Sequence, residues 1–314
     1  MGKTMILTVA LNAALDVTYR VEGTVSPHET HRVTSMTEAA GGKAVNTARV
    51  LHIFEEPILV SGLVGGDTGA RILSLIPPRI KHLFGTISGE SRRALVVADT
   101  EDATGFWEPG PVVSAAEWDA FRERFSGLVK ISAIVVLSGS LPRGLPEDAY
   151  AQLVRIAREA GCTTILDCEG APLTAALAER PDVVKPNATE LAGAVPDIDI
   201  RSDADVVAAA ERLRKAGAGA VIASRGGAGI VAVTDEGAWS AAPPEVIVGN
   251  PTGAGDACVA AIARGFNHHQ TWPELLRDAV AMSAASVRAP IAGHVEVRDF
   301  LRLRHDVKPT SLSH

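Results

Sequence analysis

The sequence predicts an α/β fold with a mostly parallel central sheet and helices on both faces, and three observations predict it. Short β-branched runs alternate with longer Ala, Leu and Arg-rich segments of helical period, most clearly in the second half. Glycines and isolated polar residues gather in the loops that follow strands, where an open parallel sheet binds its ligands. The 314 residues are 46% hydrophobic but only 4% aromatic, enough to bury a substantial core made chiefly of aliphatic side chains.

The elements follow in order. "AIVVLS" at 133–138 reads as a buried strand, then "PEDAYAQLVRIAREAG" as a helix with Pro146 in its first turn and Gly161 closing it. "TTILD" and "DVVK" are strands, and "SDADVVAAAERLRKAG" is a helix capped by Ser202 and ended by Gly217. "AVIAS" is the next strand. The first third differs. From Asp16 to Ala40, and again from Arg92 to Pro111, polar and apolar residues alternate, which predicts half-exposed strands outside the main sheet, a small lid. No linker or repeat divides the chain, so residues 1–304 are expected to form one domain, with lid strands at about 12–40 and 91–111. Residues 305–314 are expected to be a loose tail.

The net charge of −7 excludes a broad field for nucleic acid or an anionic membrane, so an anionic ligand needs a local positive cluster. Cys162, Cys168 and Cys258 lack metal-ligand spacing and read as buried thiols of a reducing cytoplasm. No stretch has the roughly 18 apolar residues of a spanning helix, and the expected location is cytoplasmic.

Four loops carry chemistry-bearing residues. In "NPTGAGDACVAAIARG", Gly253, Ala254 and Gly255 let backbone N–H groups converge at the positive end of a helix, an anion cradle. Asp256 beside such a cradle suits a base that takes the proton of an alcohol attacking phosphorus, although it also reads as a plain first-turn acid. "GGKAVN" puts Gly41, Gly42 and Lys43 before a helix, with Asn46 one turn on. It lacks the GxxxxGK[ST] spacing of a phosphate loop and suits a sugar close to the backbone, or an ordinary glycine turn. "VVKPNATEL" offers Asn187 and Glu190 on one helical face after Lys185, either as oxygen partners of magnesium through water or as an N-cap with its acid at N3. "SRGGAG" places Ser224, Gly226, Gly227 and Gly229 between two strands, as a tight hairpin or as backbone bordering a nucleotide.

The order "GGKAVN", "KPNATEL", "SRGGAG", "NPTGAGD" resembles the ribokinase-like PfkB family of carbohydrate kinases from about Met5 to Arg304. "MILTVALNAALDVTY", "GLVGGDTG", "ISGESRRALVV", "EPGP" and "SGSLPRGL" are similar to its hexose-phosphate kinase branch, and the Asn-Pro before "TGAGD", together with "GES-R" and "EPGP", leans toward tagatose-6-phosphate kinase, with 1-phosphofructokinase as the alternative. The resemblance implies a three-layer sandwich with a β-strand lid that pairs with a second subunit, ATP as donor and Mg2+ as cofactor. It implies Asp256 as the base with Gly253, Ala254 and Gly255 as the anion hole. Asp16, Gly42 and Asn46 would bind the sugar, and Lys43 and Arg92 its existing phosphate. Lys185, Asn187, Glu190, Ser224, Gly226, Gly227 and Gly229 would serve the nucleotide, with magnesium on Asn187 and Glu190.

A kinase of an unphosphorylated sugar is a rival that the charge of Arg92 opposes, and a silent sugar or nucleotide sensor is a rival that Asp256 opposes. Two departures bear on the pocket. Ala44 stands where the family carries another glycine, adding a methyl near the sugar, and Glu169 adds a carboxylate near the polyphosphate that must be paired or turned outward.

Overall fold

A computed structural model describes residues 3–289 and 291–312. In chain order the strands and helices are β1 (Met5–Ala10), β2 (Ala14–Val21), β3 (Val33–Gly41), α1 (Lys43–Ile53), β4 (Ile58–Gly65), α2 (Gly66–Leu75), β5 (Lys81–Ile87), β6 (Arg92–Ala98), β7 (Ala103–Trp107), α3 (Ala115–Leu128) and β8 (Ser132–Ser138). There follow α4 (Ala149–Glu159), β9 (Thr163–Asp167), α5 (Gly170–Leu177), β10 (Val183–Val184), α6 (Ala188–Ala194), α7 (Asp203–Ala216), β11 (Ala220–Ser224), β12 (Ile230–Val233), β13 (Ala238–Ala241), α8 (Ala254–Asn267), α9 (Trp272–Val287), α10 (Val297–Asp306) and β14 (Thr310–Leu312).

The main sheet has ten strands in the order β14-β13-β12-β11-β10-β9-β8-β1-β4-β5. It is parallel from β5 to β11 and antiparallel beyond. Its inner strands are mostly apolar, broken by buried hydroxyls such as Thr8 and Ser61, because both faces are covered. Ile6, Val60, Ile134, Ile165 and Val183 pack against α1, α8, α9 and α10. Their neighbours Leu7, Leu59, Val135, Leu166 and Val184 pack with Phe121 and Phe125 of α3 and with α4 to α7. Two cores on either side of one sheet make the three-layer, ribokinase-like sandwich.

A separate four-stranded sheet, β3-β2-β6-β7, forms the lid. Alternation along its strands sorts residues by face. Ala14 lies opposite Arg92, and Asp16 opposite Ala94, so Asp16 and Arg92 share one face. Leu15, Val17, Tyr19, Leu95 and Phe106 share the other and line a surface cavity of about 510 Å³.

Three expectations need correction. The tail is not loose: Val307 is buried, and Thr310–Leu312 pairs antiparallel with β13 as the edge of the main sheet. That edge supplies unpaired backbone groups, which order a segment too polar to predict as a strand. Pro146 precedes its helix, because residues 146–148 form a turn closed by Ala149 N–H to Pro146 O at 3.0 Å. Ala44, in the first turn of α1, is fully buried against the core, so its methyl fills packing space.

No helix among the described residues is long and apolar enough to cross a membrane.

Candidate active site

The site is assembled at the carboxyl ends of the parallel strands. Gly253 caps α8 with φ +90°, and a side chain there would also press on Ala292 at 3.0 Å, so glycine is required for the chain to turn into the helix. Ala254 N–H is spent on Pro251 O at 3.1 Å. Among the described residues the amides of Gly253, Gly255 and Asp256 have no acceptor, so these three, rather than Ala254, are the open donors of the cradle.

Asp256 is 6% exposed. Asn46 Nδ2 donates to its Oδ2 at 2.9 Å. Burial and the nearby charge of Asp167 push its carboxyl up to about 7, against the opposing pull of Asn46, Lys43 and Lys185. A carboxylate that titrates near neutrality is matched to taking a proton from an alcohol. Asn46, expected to hold the sugar, therefore has its amide nitrogen on the Asp256 carboxylate, while its buried Oδ1 has no partner among the described residues.

Asp167, at the end of β9, was not singled out in the sequence. It is 1% exposed and receives Lys185 Nζ at 3.2 Å, Lys43 Nζ at 3.4 Å and Ser138 Oγ at 2.9 Å. Burial opposes its charge, but Lys185 and Lys43 outweigh burial and hold it below the usual carboxylate range. An acid ending the apolar run "TTILD" at the carboxyl edge of a parallel strand was the available signal. Lys185 is 3% exposed, and its ammonium lies against Asp167 rather than in a nucleotide cavity. Lys43 Nζ lies between Asp167 and Glu190, 3.6 Å from the latter, and is not paired with Arg92.

Arg92 and Asp16 lie on the lid's inner face. Arg92 Nε donates to Asn12 O at 3.2 Å. Burial raises the Asp16 carboxyl to about 6, with Arg92 and Arg49 opposing. The glycine that makes room for Asp16 is Gly41, where an added Cβ would fall 2.1 Å from the carboxyl group; Gly42 instead caps α1. Asn12, whose Nδ2 donates to Ser140 Oγ at 3.0 Å, and Arg49 also border this region and were missed. Their only signal in the sequence was nearness along the chain, Asn12 to Asp16 and Arg49 to "GGKAVN".

On the other side of Gly255 lies a cavity of about 650 Å³, bordered by Ser224, Gly226, Gly227, Gly229, Ala254 and Gly255 together with Val246, Ser283 and Val287. The glycine loop is a hairpin between β11 and β12, and its glycines also border the cavity. Asn187 and Glu190 form a reciprocal cap: Asn187 Oδ1 accepts from Glu190 N at 2.9 Å, and Glu190 Oε2 accepts from Asn187 N at 2.8 Å. Glu190 Oε1 is left facing Lys43. Glu169 is exposed, which relieves the expected repulsion.

Comparison with known proteins agrees with this geometry. A profile described as pfkB family carbohydrate kinase matches residues 4–296. The chain belongs to the pfkB family of carbohydrate kinases. It is similar, at 26% identity and TM-score 0.89, to a 1-phosphofructokinase candidate from Thermotoga maritima, with 98% of this chain and 100% of that one covered. Phosphofructokinase-2 from Escherichia coli, also 26% identical, matches in its complex with fructose-6-phosphate (TM-score 0.85, covering 97% and 99%) and in its tetrameric inhibited form (TM-score 0.87, covering 96% and 98%). Ribokinase from Arabidopsis thaliana, complexed with ribose and ATP, shares the fold at 21% identity and TM-score 0.77, covering 97% and 99%. This pfkB protein is thus a sugar kinase.

Family members imply ATP and magnesium, and the residues present fit both. The glycine-bordered cavity has room for a nucleoside next to the open amides. Among the described residues no group of three or more His, Cys, Asp or Glu side chains is placed to hold a metal ion, and Glu190 is the carboxylate that faces Lys43 beside the strand ends.

Proposed function

We propose that this kinase transfers the γ-phosphoryl group of ATP to a primary hydroxyl of a ketohexose that already carries a phosphate. Tagatose 6-phosphate, giving tagatose 1,6-bisphosphate, is the leading acceptor, on the strength of "NPTGAGD", "GES-R" and "EPGP". Fructose 1-phosphate is the second reading, favoured by the likeness to the Thermotoga protein. The observation that carries the reading is Asp256: a buried carboxyl raised to about 7, beside open amides, between a sugar-side lid face and a nucleotide-sized cavity.

Asp256 accepts the hydroxyl proton as the oxygen attacks phosphorus, a P–O bond forms, and the bond to the departing diphosphate breaks. The amides of Gly253, Gly255 and Asp256, with the positive end of α8, take the charge spreading over the transferred group. Asn46 holds Asp256 in place and offers its unpartnered Oδ1 to a sugar hydroxyl. Asp16 accepts further hydroxyls, and Arg92 binds the existing phosphate with a fork that a lysine lacks. Lys43, anchored by Asp167 and Glu190, meets the triphosphate; Lys185 holds Asp167 from below. Glu190, fixed by its reciprocal cap with Asn187, would help hold magnesium, which would supply charge neutralisation for the triphosphate. Ser224, Gly226, Gly227 and Gly229 border the nucleotide. The outer lid face, with exposed Met36 and Phe106, is the surface a second subunit covers in a homodimer.

An ADP-release assay with ATP and magnesium, run on tagatose 6-phosphate, fructose 1-phosphate, fructose 6-phosphate and the free sugars, tests the acceptor. Turnover of free sugars at an efficiency equal to that of the phosphorylated ones would refute the role given to Arg92.

A further inference from the structure

We propose that Tyr150 is a positioning residue: its hydroxyl fixes the turn at Gly139 that stands between the sugar-phosphate end of the site and the triphosphate end. The proposal rests on the kinase reading above and adds to it a residue that touches neither substrate.

Tyr150 lies in the first turn of α4, 0% exposed, in the core that α3 to α7 cover. Packing alone does not account for its hydroxyl, because phenylalanine fills the same space with no polar atom to satisfy. The hydroxyl donates to Gly139 O at 3.0 Å, and among the described residues it is the only donor to that carbonyl. Burial, with Cys168 and Asp167 nearby, pushes the phenol well above its ordinary range, so it remains a donor.

Gly139 follows β8 at φ +107°, a conformation that favours glycine. Its N–H donates to Asp167 O at 3.0 Å, and Ser138 Oγ donates to Asp167 Oδ2 at 2.9 Å. Asp167 in turn meets Lys43. On the other flank Ser140 Oγ accepts from Asn12 Nδ2 at 3.0 Å, and Asn12 O accepts from Arg92 Nε at 3.2 Å. Three residues thus link the lysine given to the triphosphate with the arginine given to the sugar's phosphate.

The two flanks are not equally secured. The Asp167 flank has two hydrogen bonds of its own, whereas Ser140 follows the rigid peptide plane whose carbonyl Tyr150 holds. Without the hydroxyl that carbonyl is unpaired, and the plane turns toward water, carrying Ser140 away from Asn12. The loss is felt at the Arg92 end and spares the nucleotide.

The test compares the wild type with Tyr150→Phe and with Phe125→Leu, a core variant in α3 that controls for lost stability. Initial rates with ATP, magnesium and tagatose 6-phosphate or fructose 1-phosphate give kcat and KM, and displacement of a fluorescent N-methylanthraniloyl ATP without sugar reads the nucleotide. Tyr150→Phe is expected to raise KM for the sugar phosphate by about 10- to 100-fold, more than it lowers kcat, with nucleotide affinity within about twofold. Phe125→Leu is expected to change neither. An unchanged sugar KM in Tyr150→Phe, an equal loss of nucleotide affinity, or the same rise in Phe125→Leu overturns the proposal. The chain has only two tyrosines, so 3-fluorotyrosine gives two fluorine resonances, and Tyr19→Phe assigns them. The sugar phosphate is expected to shift the Tyr150 line and ATP to leave it in place. A line that neither moves, or that both move equally, overturns the proposal, and this measurement decides if Tyr150→Phe does not fold. If the wild type turns over no sugar phosphate, the acceptor reading fails and takes this proposal with it. Wild-type turnover beside an unchanged KM in Tyr150→Phe overturns this proposal alone.

Discussion

Asp256→Asn separates the chemistry of the base from its cost to the fold. The substitution is nearly isosteric, keeps a polar group beside Asn46, and removes the proton acceptor. Burial and Asp167 raise the Asp256 carboxyl from an ordinary 3.8 to about 7, so the folded protein holds this proton more tightly than the unfolded chain does. Stability from this group is therefore present at low pH and is lost as pH rises between about 4 and about 7, after which the loss is complete. The full difference corresponds to about 4 kcal/mol, a ceiling reduced by roughly 1 kcal/mol for the altered bond to Asn46. Asparagine does not titrate. Its variant is thus expected to match the wild type near pH 4 and to exceed it in stability at pH 8, with turnover lower by about 10²- to 10⁴-fold. Urea denaturation of both proteins across that range reads the first quantity, and steady-state kinetics with ATP the second. A stability gap that does not change with pH would refute the raised carboxyl. Turnover near that of the wild type would remove Asp256 from the mechanism.

Arg92→Ala is expected to raise KM for the sugar phosphate by about 10- to 100-fold, the worth of a lost charge-assisted bond, while KM for ATP stays within twofold. Equal effects on both substrates in initial-rate kinetics would mean that Arg92 does not read the phosphate. Asn46→Ala removes a donor that pulls the Asp256 carboxyl down, so the acidic limb of kcat/KM should move to higher pH; an unmoved limb would show that Asn46 does not tune the base. Asp167→Asn leaves the buried ammonium of Lys185 without its counter-charge and should cost about 3–5 kcal/mol in denaturation. The double variant Asp167→Asn, Lys185→Met should recover much of that loss, and a double variant no more stable than the single one would contradict the pairing.

Much of this molecule is legible without coordinates, because the signals involved are local. Mostly apolar strands, helical periods ended by Gly161 and Gly217, and the polar alternation of the lid each follow from neighbours within one element. The glycine loops could be placed at strand ends for the same reason, and so could the capping pattern of Asn187 and Glu190. The partners of the functional groups could not. Asn46 and Asp256 are 210 residues apart, and Lys43 and Asp167 are 124 apart, so nothing in the order of residues says that one amide grips the base or that Lys43 turns from Arg92 toward Asp167. Gly41, rather than Gly42, is the residue that admits Asp16, because strand register across β2 and β3 decides which backbone faces that carboxyl. The last strand likewise needed the free edge of β13. The sequence by itself determined the elements, the layers and the residue types gathered in the strand-end loops. Only the tertiary structure decided which charges meet and which are buried, since burial and Coulomb energy depend on distance in space, and these set the Asp256 carboxyl near the pH at which a base can work.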